Sequence, residues 1–151
     1  MGEANACQSP DHRTGRAVKL TRKVAYAIQV LLHLAHVPTD VPVSGSALAY
    51  EGRMSERYLL SVLRSLVSRG LVRSMRGADG GYCLARSPKL LTLLDIVDTF
   101  DNPLGPQVED FDSQPAAIRD RVLETLIRAS DAARKELERL TIADLRDVRR
   151  T

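Results

Sequence analysis

Three glycines fall within six residues near the middle of the chain, in the run Arg76-Gly77-Ala78-Asp79-Gly80-Gly81. β-prone residues flank it, from Leu71 to Met75 and from Tyr82 to Ala85. Glycine adopts the positive φ angles that other residues avoid, so this pattern predicts a hairpin with a glycine-rich tip.

Three helical segments are predicted before this hairpin. The first begins near Thr21 and ends before Pro38, and a short second segment begins at Ser44. A turn at residues 51–54 leads to a third helix that begins at Ser55 and closes at Gly70. The apolar stripe of the third helix consists of Tyr58, Leu59, Val62, Leu63, Leu66 and Val67.

After the hairpin, the pattern predicts a short helix from Thr92 to Phe100 and a loop over residues 101–113. A single apolar stripe then runs through a helix of about 114–140, with steps of four, four, three, four, four and three residues. Its members are Ile118, Val122, Leu126, Ala129, Ala133, Leu137 and Leu140. The helix would be roughly 40 Å long, more than the small preceding domain can cover. We therefore expect it to pair in antiparallel fashion with a second copy, before a final turn or helix at residues 141–148.

A length of 151 residues suits one compact domain with an oligomerising arm. We expect a mobile tail at 1–18, a folded domain at 19–100, the loop at 101–113, and the dimerisation helix with its C-terminal turn or helix at 114–151. No apolar run reaches membrane-spanning length and no secretory signal is visible, so the expected location is the cytoplasm.

The charge is divided unevenly along the chain. Residues 1–90 carry 13 Lys and Arg against 6 Asp and Glu, whereas residues 91–151 carry 9 against 13. A basic first part joined to an acidic second part favours a polyanionic partner for the first part alone.

Helix, short helix, turn, helix and glycine-tipped hairpin is the element order of a winged helix-turn-helix, a mainly α fold with a small β-hairpin wing. The third helix of such a fold fits the major groove of double-stranded DNA, and the wing reaches the backbone or an adjacent minor groove. The residues expected to contact DNA are Lys19, Thr21, Arg22, Lys23, Ser55, Glu56, Arg57, Tyr58, Arg64, Arg73, Ser74, Arg76, Gly77 and Gly80.

Three runs carry a family resemblance: Leu20-Thr21-Arg22-Lys23 with Tyr26-Ala27, Ser55-x-x-Tyr58-Leu59, and Arg76-Gly77-x-x-Gly80-Gly81-Tyr82-x-Leu84-Ala85. Together they resemble the Rrf-two family of bacterial transcriptional regulators, and two shorter runs, at 92–97 and 140–145, extend the resemblance over about residues 19–147. The resemblance implies a homodimeric transcription factor, a repressor of a pseudo-palindromic operator, whose long helix pairs with its twin. It also implies that Arg76 enters the minor groove.

The sequence departs from the family pattern at three places. Many members hold an iron–sulfur cluster with three cysteines in the loop after the fourth helix, and some add a ligand from the first helix. Here residues 101–113 contain no cysteine or histidine, and Ala25 occupies the first-helix position, so we expect no cofactor. Leu60 replaces a glutamate that reads a base in several members, so the cognate DNA should differ. Arg53 replaces a glycine often found in the turn.

Two other functional classes compete with DNA binding. A thiol-based redox sensor that uses Cys83 and/or Cys7 is one alternative, although Cys83 is expected to be an inert, partly buried thiol. A winged-helix protein-interaction module that has lost DNA binding is another. His33 and His36 lie three residues apart on one helix with no third ligand nearby, so no metal site is expected. No catalytic constellation is visible, which predicts a protein without enzyme activity.

Overall fold

The computed structural model describes residues 20–100 and 113–148. These residues form six α-helices and one antiparallel hairpin, which confirms the mainly α fold with a small wing. The elements are α1 (Arg22–Ala35), α2 (Gly45–Gly52), α3 (Glu56–Ser68), β1 (Val72–Met75), β2 (Gly81–Leu84), α4 (Leu93–Phe100), α5 (Ala116–Arg139) and α6 (Ile142–Val148). A 3-10 helix, Pro88–Leu90, precedes α4. The expected tail at 1–18, Lys19, and residues 101–112 of the expected loop lie outside the described residues.

The first three helices begin where their capping residues predict. The side-chain oxygens of Thr21, Ser44 and Ser55 accept hydrogen bonds from backbone N–H groups three residues later, at 3.3, 3.2 and 3.4 Å. Each bond satisfies a donor that the first helical turn leaves without a partner. The end of α2 differs from the prediction, because the helix continues to Gly52. Arg53 then caps it in the left-handed region, with φ of 50°.

The core is formed mainly by α1 and α3, which bury one face each. Val24, Ala27, Leu31 and Leu34 come from α1. The buried residues of α3 are Leu59, Val62, Leu63 and Leu66. The i, i+3 and i+4 spacing places these side chains on one side of each helix, so the opposite side is free to face outward.

The hairpin lies one residue from the predicted boundaries, with Val72 opposite Leu84 and Met75 opposite Gly81. Val43 extends it by a single bridge, since Tyr82 N–H donates to the Val43 carbonyl at 2.8 Å and Val43 N–H donates back at 3.0 Å. This bridge fixes the wing to the segment that leads into α2. A side chain at Gly80 is excluded, because its Cβ would lie 2.5 Å from the Met75 carbonyl oxygen.

The long helix α5 has 24 residues, which makes it about 36 Å long. It ends at Arg139, so Leu140 is outside the helix and in extended conformation, contrary to the predicted stripe. The reason is a backbone bridge between Thr92 and Thr141, in which the Leu140 carbonyl accepts from the Leu93 N–H at 2.8 Å. The chain then returns to the first domain, where Ile142 of α6 is fully buried. The predicted division at residue 114 places α6 in one unit with the dimerisation helix, whereas Ile142 of α6 belongs to the core that α1 and α3 form.

Each threonine of this bridge is the first residue of a capping motif, and the two motifs have the same arrangement. Thr92 N–H and Oγ1 donate to Asp95 Oδ2 at 3.0 and 2.9 Å, ahead of α4. Thr141 N–H and Oγ1 donate to Asp144 Oδ2 at 2.9 and 2.6 Å, ahead of α6. The hydrogen bonds from Thr141 hold the pKa of Asp144 below its usual range, because they stabilise the carboxylate. Side by side, the two motifs join α4 and α6.

Candidate nucleic-acid interface

Helix α3 presents an exposed polar face opposite its buried one. Ser55, Glu56, Arg57 and Arg64 are all exposed, as the sequence predicts for a helix that reads DNA. Glu56 in the first turn is favourable to the helix dipole, and Arg57 and Arg64 supply positive charge. The face is therefore accessible along about two turns, from Arg57 to Arg64.

The orientation of α3 is set by the turn before it and by an aromatic contact. Met54 is buried between the left-handed Arg53 and the capping Ser55. The Tyr58 ring meets the Tyr26 ring of α1 edge to face, with centroids 5.3 Å apart. Tyr58 is half-buried, so its ring packs against the fold and contributes less surface to the interface than Arg57 does.

The wing brings Ser74, Arg76 and Gly77 to the exposed surface beside α3. Gly77 has φ of 122°, a backbone conformation that would be strained for a residue with a side chain. A depression of about 260 Å³ separates the wing from α3, and it is lined by Arg64, Val67, Ser68, Ser74 and Tyr82. The structure therefore brings Arg64 and Ser74 together. Ser68 and Tyr82 also line this depression, and the sequence alone did not indicate that they lie close together.

Arg73 differs from the other wing cations, because it is engaged within the chain. Its Nη2 donates to the Thr39 carbonyl at 3.2 Å and lies 3.4 Å from an Asp40 carboxylate oxygen. Both partners belong to the connection between α1 and α2. In this arrangement Arg73 fastens the wing to that connection, and Arg76 is the wing arginine at the exposed tip.

The start of α1 adds a further positive site. Arg22 and Lys23 are exposed, and the first turn contains no acidic residue. The N-terminal end of a helix already carries partial positive charge, so these two cations increase the local potential and favour an anion such as a phosphate. Thr21 is engaged as the N-cap.

The thiol and imidazole side chains of the described residues do not converge as the ligands of a metal would. Cys83 is 1% exposed, and its Sγ lies 3.6 Å from the Met75 sulfur. His33 Nδ1 is 2.8 Å from a Glu51 carboxylate oxygen, and His36 Nδ1 is 2.7 Å from the Leu32 carbonyl. No three His, Cys, Asp or Glu side chains of residues 20–100 and 113–148 form a metal-binding group. Iron–sulfur clusters are held by several cysteine thiolates. The described residues include only Cys83, because Cys7 lies outside them, so they do not fit such a cluster.

Helix α5 carries the apolar stripe on a surface that the single chain leaves open. No residue of this helix is buried, and Ile118 and Leu126 are 49% and 37% exposed. Ile127, which does not belong to the predicted stripe, is also exposed, to 48%. Leu137 instead packs against the core of the first domain. Within the described residues, none of the helices is long and apolar enough to cross a membrane.

Comparison with known proteins agrees with this architecture. The family model of Rrf2, described as an iron-dependent transcriptional regulator, matches residues 20–147. The chain is 34% identical over 128 residues to the HTH-type transcriptional regulator CymR of Bacillus subtilis, across 85% of this chain and 89% of the relative.

Solved structures show the same likeness. The structure of CymR, the global cysteine regulator of B. subtilis, superposes with a TM-score of 0.70 at 33% identity and covers 87% of this chain and 98% of its own. The IscR structure of T. potens gives a TM-score of 0.62 at 31% identity and covers 85% of each chain. Since the winged helix, the exposed face of α3 and this likeness agree, the chain belongs to the Rrf2 family of DNA-binding transcriptional regulators.

Proposed function

We propose that the protein is a homodimeric repressor that binds a pseudo-palindromic operator in double-stranded DNA. Each protomer places α3 in a major groove and the tip of the wing, at Arg76, in the adjacent minor groove. The long helix α5 pairs with its twin and sets the distance between the two half-sites. The protein acts by occupying DNA and performs no catalysis.

The observation that carries this proposal is the exposed cationic face of α3. Arg57 near the start of the helix and Arg64 two turns later lie on the outer side, while Leu59, Val62 and Leu63 hold the inner side. An arginine near the N-terminus of a recognition helix is well placed to donate two hydrogen bonds to a guanine edge. Lys23 at the start of α1 and Arg76 on the wing extend the positive surface towards the backbone.

The exposed stripe of α5 supports the dimer. Ile118 and Leu126 face outward in the single chain although they are large and apolar. A second copy related by a two-fold axis would cover the stripe with the same stripe, which is how symmetric dimers form. Two-fold symmetry in turn requires half-sites that are separated by a whole number of helical turns, about 10 base pairs or a multiple.

Three substitutions test the proposed reading of DNA. Arg57→Ala should cost roughly 1–3 kcal/mol on a selected operator and relax the preference at one base position. Arg76→Ala should weaken binding and reduce the preference for A·T-rich flanks, where the minor groove is narrow. Lys23→Ala should weaken all sequences alike and lower the slope of log K against log[salt] by about 1.

The matched control is Arg86→Ala, since Arg86 is exposed near Gly70, at the end of the hairpin away from the tip. Binding of the full chain and of each variant is titrated on the operator and on scrambled DNA at several salt concentrations. Equal, sequence-independent losses for all four variants would show that Arg57 and Arg76 are ordinary surface charges, and would contradict the proposed geometry.

We further propose that this regulator works without the iron–sulfur cluster of the family type. Only Cys7 and Cys83 are present in the sequence, and the buried thiol of Cys83 faces the sulfur of Met75. Anaerobically purified protein should show no visible absorption band and no stoichiometric iron or sulfide. A brown preparation with both elements in stoichiometric amounts would contradict the proposal.

A further inference from the structure

Leu60 stands out on the exposed face of α3. It is 40% exposed, and it is the large apolar side chain that this face presents. Arg57 lies one turn before it and Arg64 one turn after it, and both are exposed. The neighbours Leu59 and Leu63 are fully buried, and Leu60 is outside the core that they help to form.

A leucine in this position has one suitable partner in a major groove. The edges of the bases there present hydrogen-bond donors and acceptors, which a leucine would separate from water without replacing their hydrogen bonds. The exception is the C5-methyl group of thymine, an apolar feature of the groove. Contact with that methyl buries apolar surface on both sides, whereas contact with any other base edge costs free energy.

We infer that Leu60 is a specificity residue that packs on the methyl group of a thymine beside the base read by Arg57. This inference rests on the proposed function, because it requires α3 to lie in the major groove. Leu60 follows Arg57 by three residues, a rise of about 4.5 Å along the helix. Successive base pairs are separated by about 3.4 Å, so the thymine falls about one base step from the pair that Arg57 contacts.

Uracil substitution tests the contact, because uracil differs from thymine only in lacking the methyl group. An operator is selected with the full chain, and each thymine of one half-site is replaced in turn by deoxyuridine. At one position the Kd of the wild-type protein should rise about fourfold, the equivalent of one methyl group removed from an apolar contact. Deoxyuridine at the other positions should change Kd much less.

Leu60→Ala identifies the side chain responsible. This variant should bind thymine and uracil operators equally at that position, since the partner of the methyl group is gone. Leu90→Ala is the matched control, because Leu90 is exposed to 67% in the 3-10 helix after the wing. It should keep the full fourfold sensitivity. A second arm compares cytosine with 5-methylcytosine at the same position, where methylation should tighten binding by wild type and leave Leu60→Ala unaffected.

The results that overturn the inference are distinct. Equal tolerance of uracil at every thymine would show that no methyl group is read, and equal losses for wild type and Leu60→Ala would assign the methyl to another residue. A selected half-site without a thymine next to the Arg57-dependent base would also overturn it, while the proposed function stands. A failure of the full chain to select any DNA sequence would instead overturn the proposed function, and this inference with it.

Discussion

The winged domain, which consists of α1 to α4 and the hairpin, differs from the long helix α5 in how its apolar residues are used. In the winged domain, α1 and α3 bury one face each, and the leucines and valines on those faces that belong to the core are between 0% and 2% exposed. In α5, which is longer than either, no residue is buried. The first region buries its core within one chain, whereas the single chain leaves large apolar side chains of the second exposed.

In the proposed dimer, the two regions contribute to stability in different ways, one through folding and the other through association of two chains. Burial inside the winged domain contributes to folding at any protein concentration, while burial of the α5 stripe against a second copy depends on concentration. The sequences of the two regions look alike in this respect, since both show apolar residues at helical spacing. Periodicity indicates that a face will be buried, but it does not say against what.

Asp98 joins the two regions. Arg134 of α5 donates to both carboxylate oxygens of Asp98 in α4, at 3.1 and 2.9 Å. The hydrogen bond to Asp98 raises the pKa of Arg134. Arg69, the C-cap of α3, donates to the backbone carbonyl of the same residue at 2.9 Å. The end of α3 and the long helix α5 therefore meet at one residue.

The largest expected effect comes from breaking the stripe of α5. Ile118→Asp combined with Leu126→Asp should give monomers, because two carboxylates cannot be buried at an apolar interface. A monomer binds one half-site at a time, so operator affinity should fall by about 10²–10⁴-fold. Light scattering measures the oligomeric state, and circular dichroism should show that the winged domain stays folded.

The control for this variant places two aspartates elsewhere on α5. Ala117 and Lys135 are exposed and lie off the stripe, so Ala117→Asp combined with Lys135→Asp should leave the dimer intact. Wild-type protein that is monomeric at micromolar concentration would contradict the proposed role of α5.

Truncating the core of the winged domain should act on folding itself. Leu63 is fully buried in α3, and Leu63→Ala should lower the free energy of unfolding by about 2–5 kcal/mol through lost burial and a residual cavity. Leu90→Ala, at an exposed leucine, should change it by no more than about 0.5 kcal/mol. Denaturant titration measures both. Similar losses for the two variants would contradict the full burial of Leu63 in the core.

The smallest effect concerns Asp144 and the return of α6 to the winged domain. Its pKa is lowered in the folded state, so its contribution to stability is fully present above the unfolded pKa and is lost as pH falls below about 4. The thermal stability of Asp144→Asn should be below that of wild type at pH 7, and the difference should shrink in acid. Thr141→Val should raise the pKa of Asp144 in an NMR titration. An unchanged pKa would contradict the role of Thr141.

Much of the fold could be predicted because its signals are local. A capping hydroxyl acts on an N–H three residues away, so Thr21, Ser44 and Ser55 marked the helix starts correctly. The glycines at 77, 80 and 81 marked the hairpin tip for the same reason. The exposed positions of Arg57, Arg64 and Arg76 also followed from sequence, because the apolar periodicity fixed which side of α3 faces inward and the glycines fixed the wing tip.

The rest depended on residues far apart in the chain. Arg73, predicted as a wing cation for DNA, also lies close to Asp40, 33 residues away in the chain, and the sequence pattern did not indicate that pair. The burial of α6 and the position of Leu140 depend on a bridge between Thr92 and Thr141. Patterns along the chain contain no information on such pairs, since any charged or extended residue has many equivalent partners in sequence.

The helices, the hairpin and the apolar side of each helix are encoded locally, because they follow from backbone preferences and from contacts within a few residues. Which apolar face packs within the chain and which remains exposed depends on how the elements assemble in three dimensions. Leu63 and Leu126 occupy similar stripes, yet one is fully buried and the other is 37% exposed. The physical reason is that burial depends on the elements packed against a face, and for α5 the single chain provides too few of them.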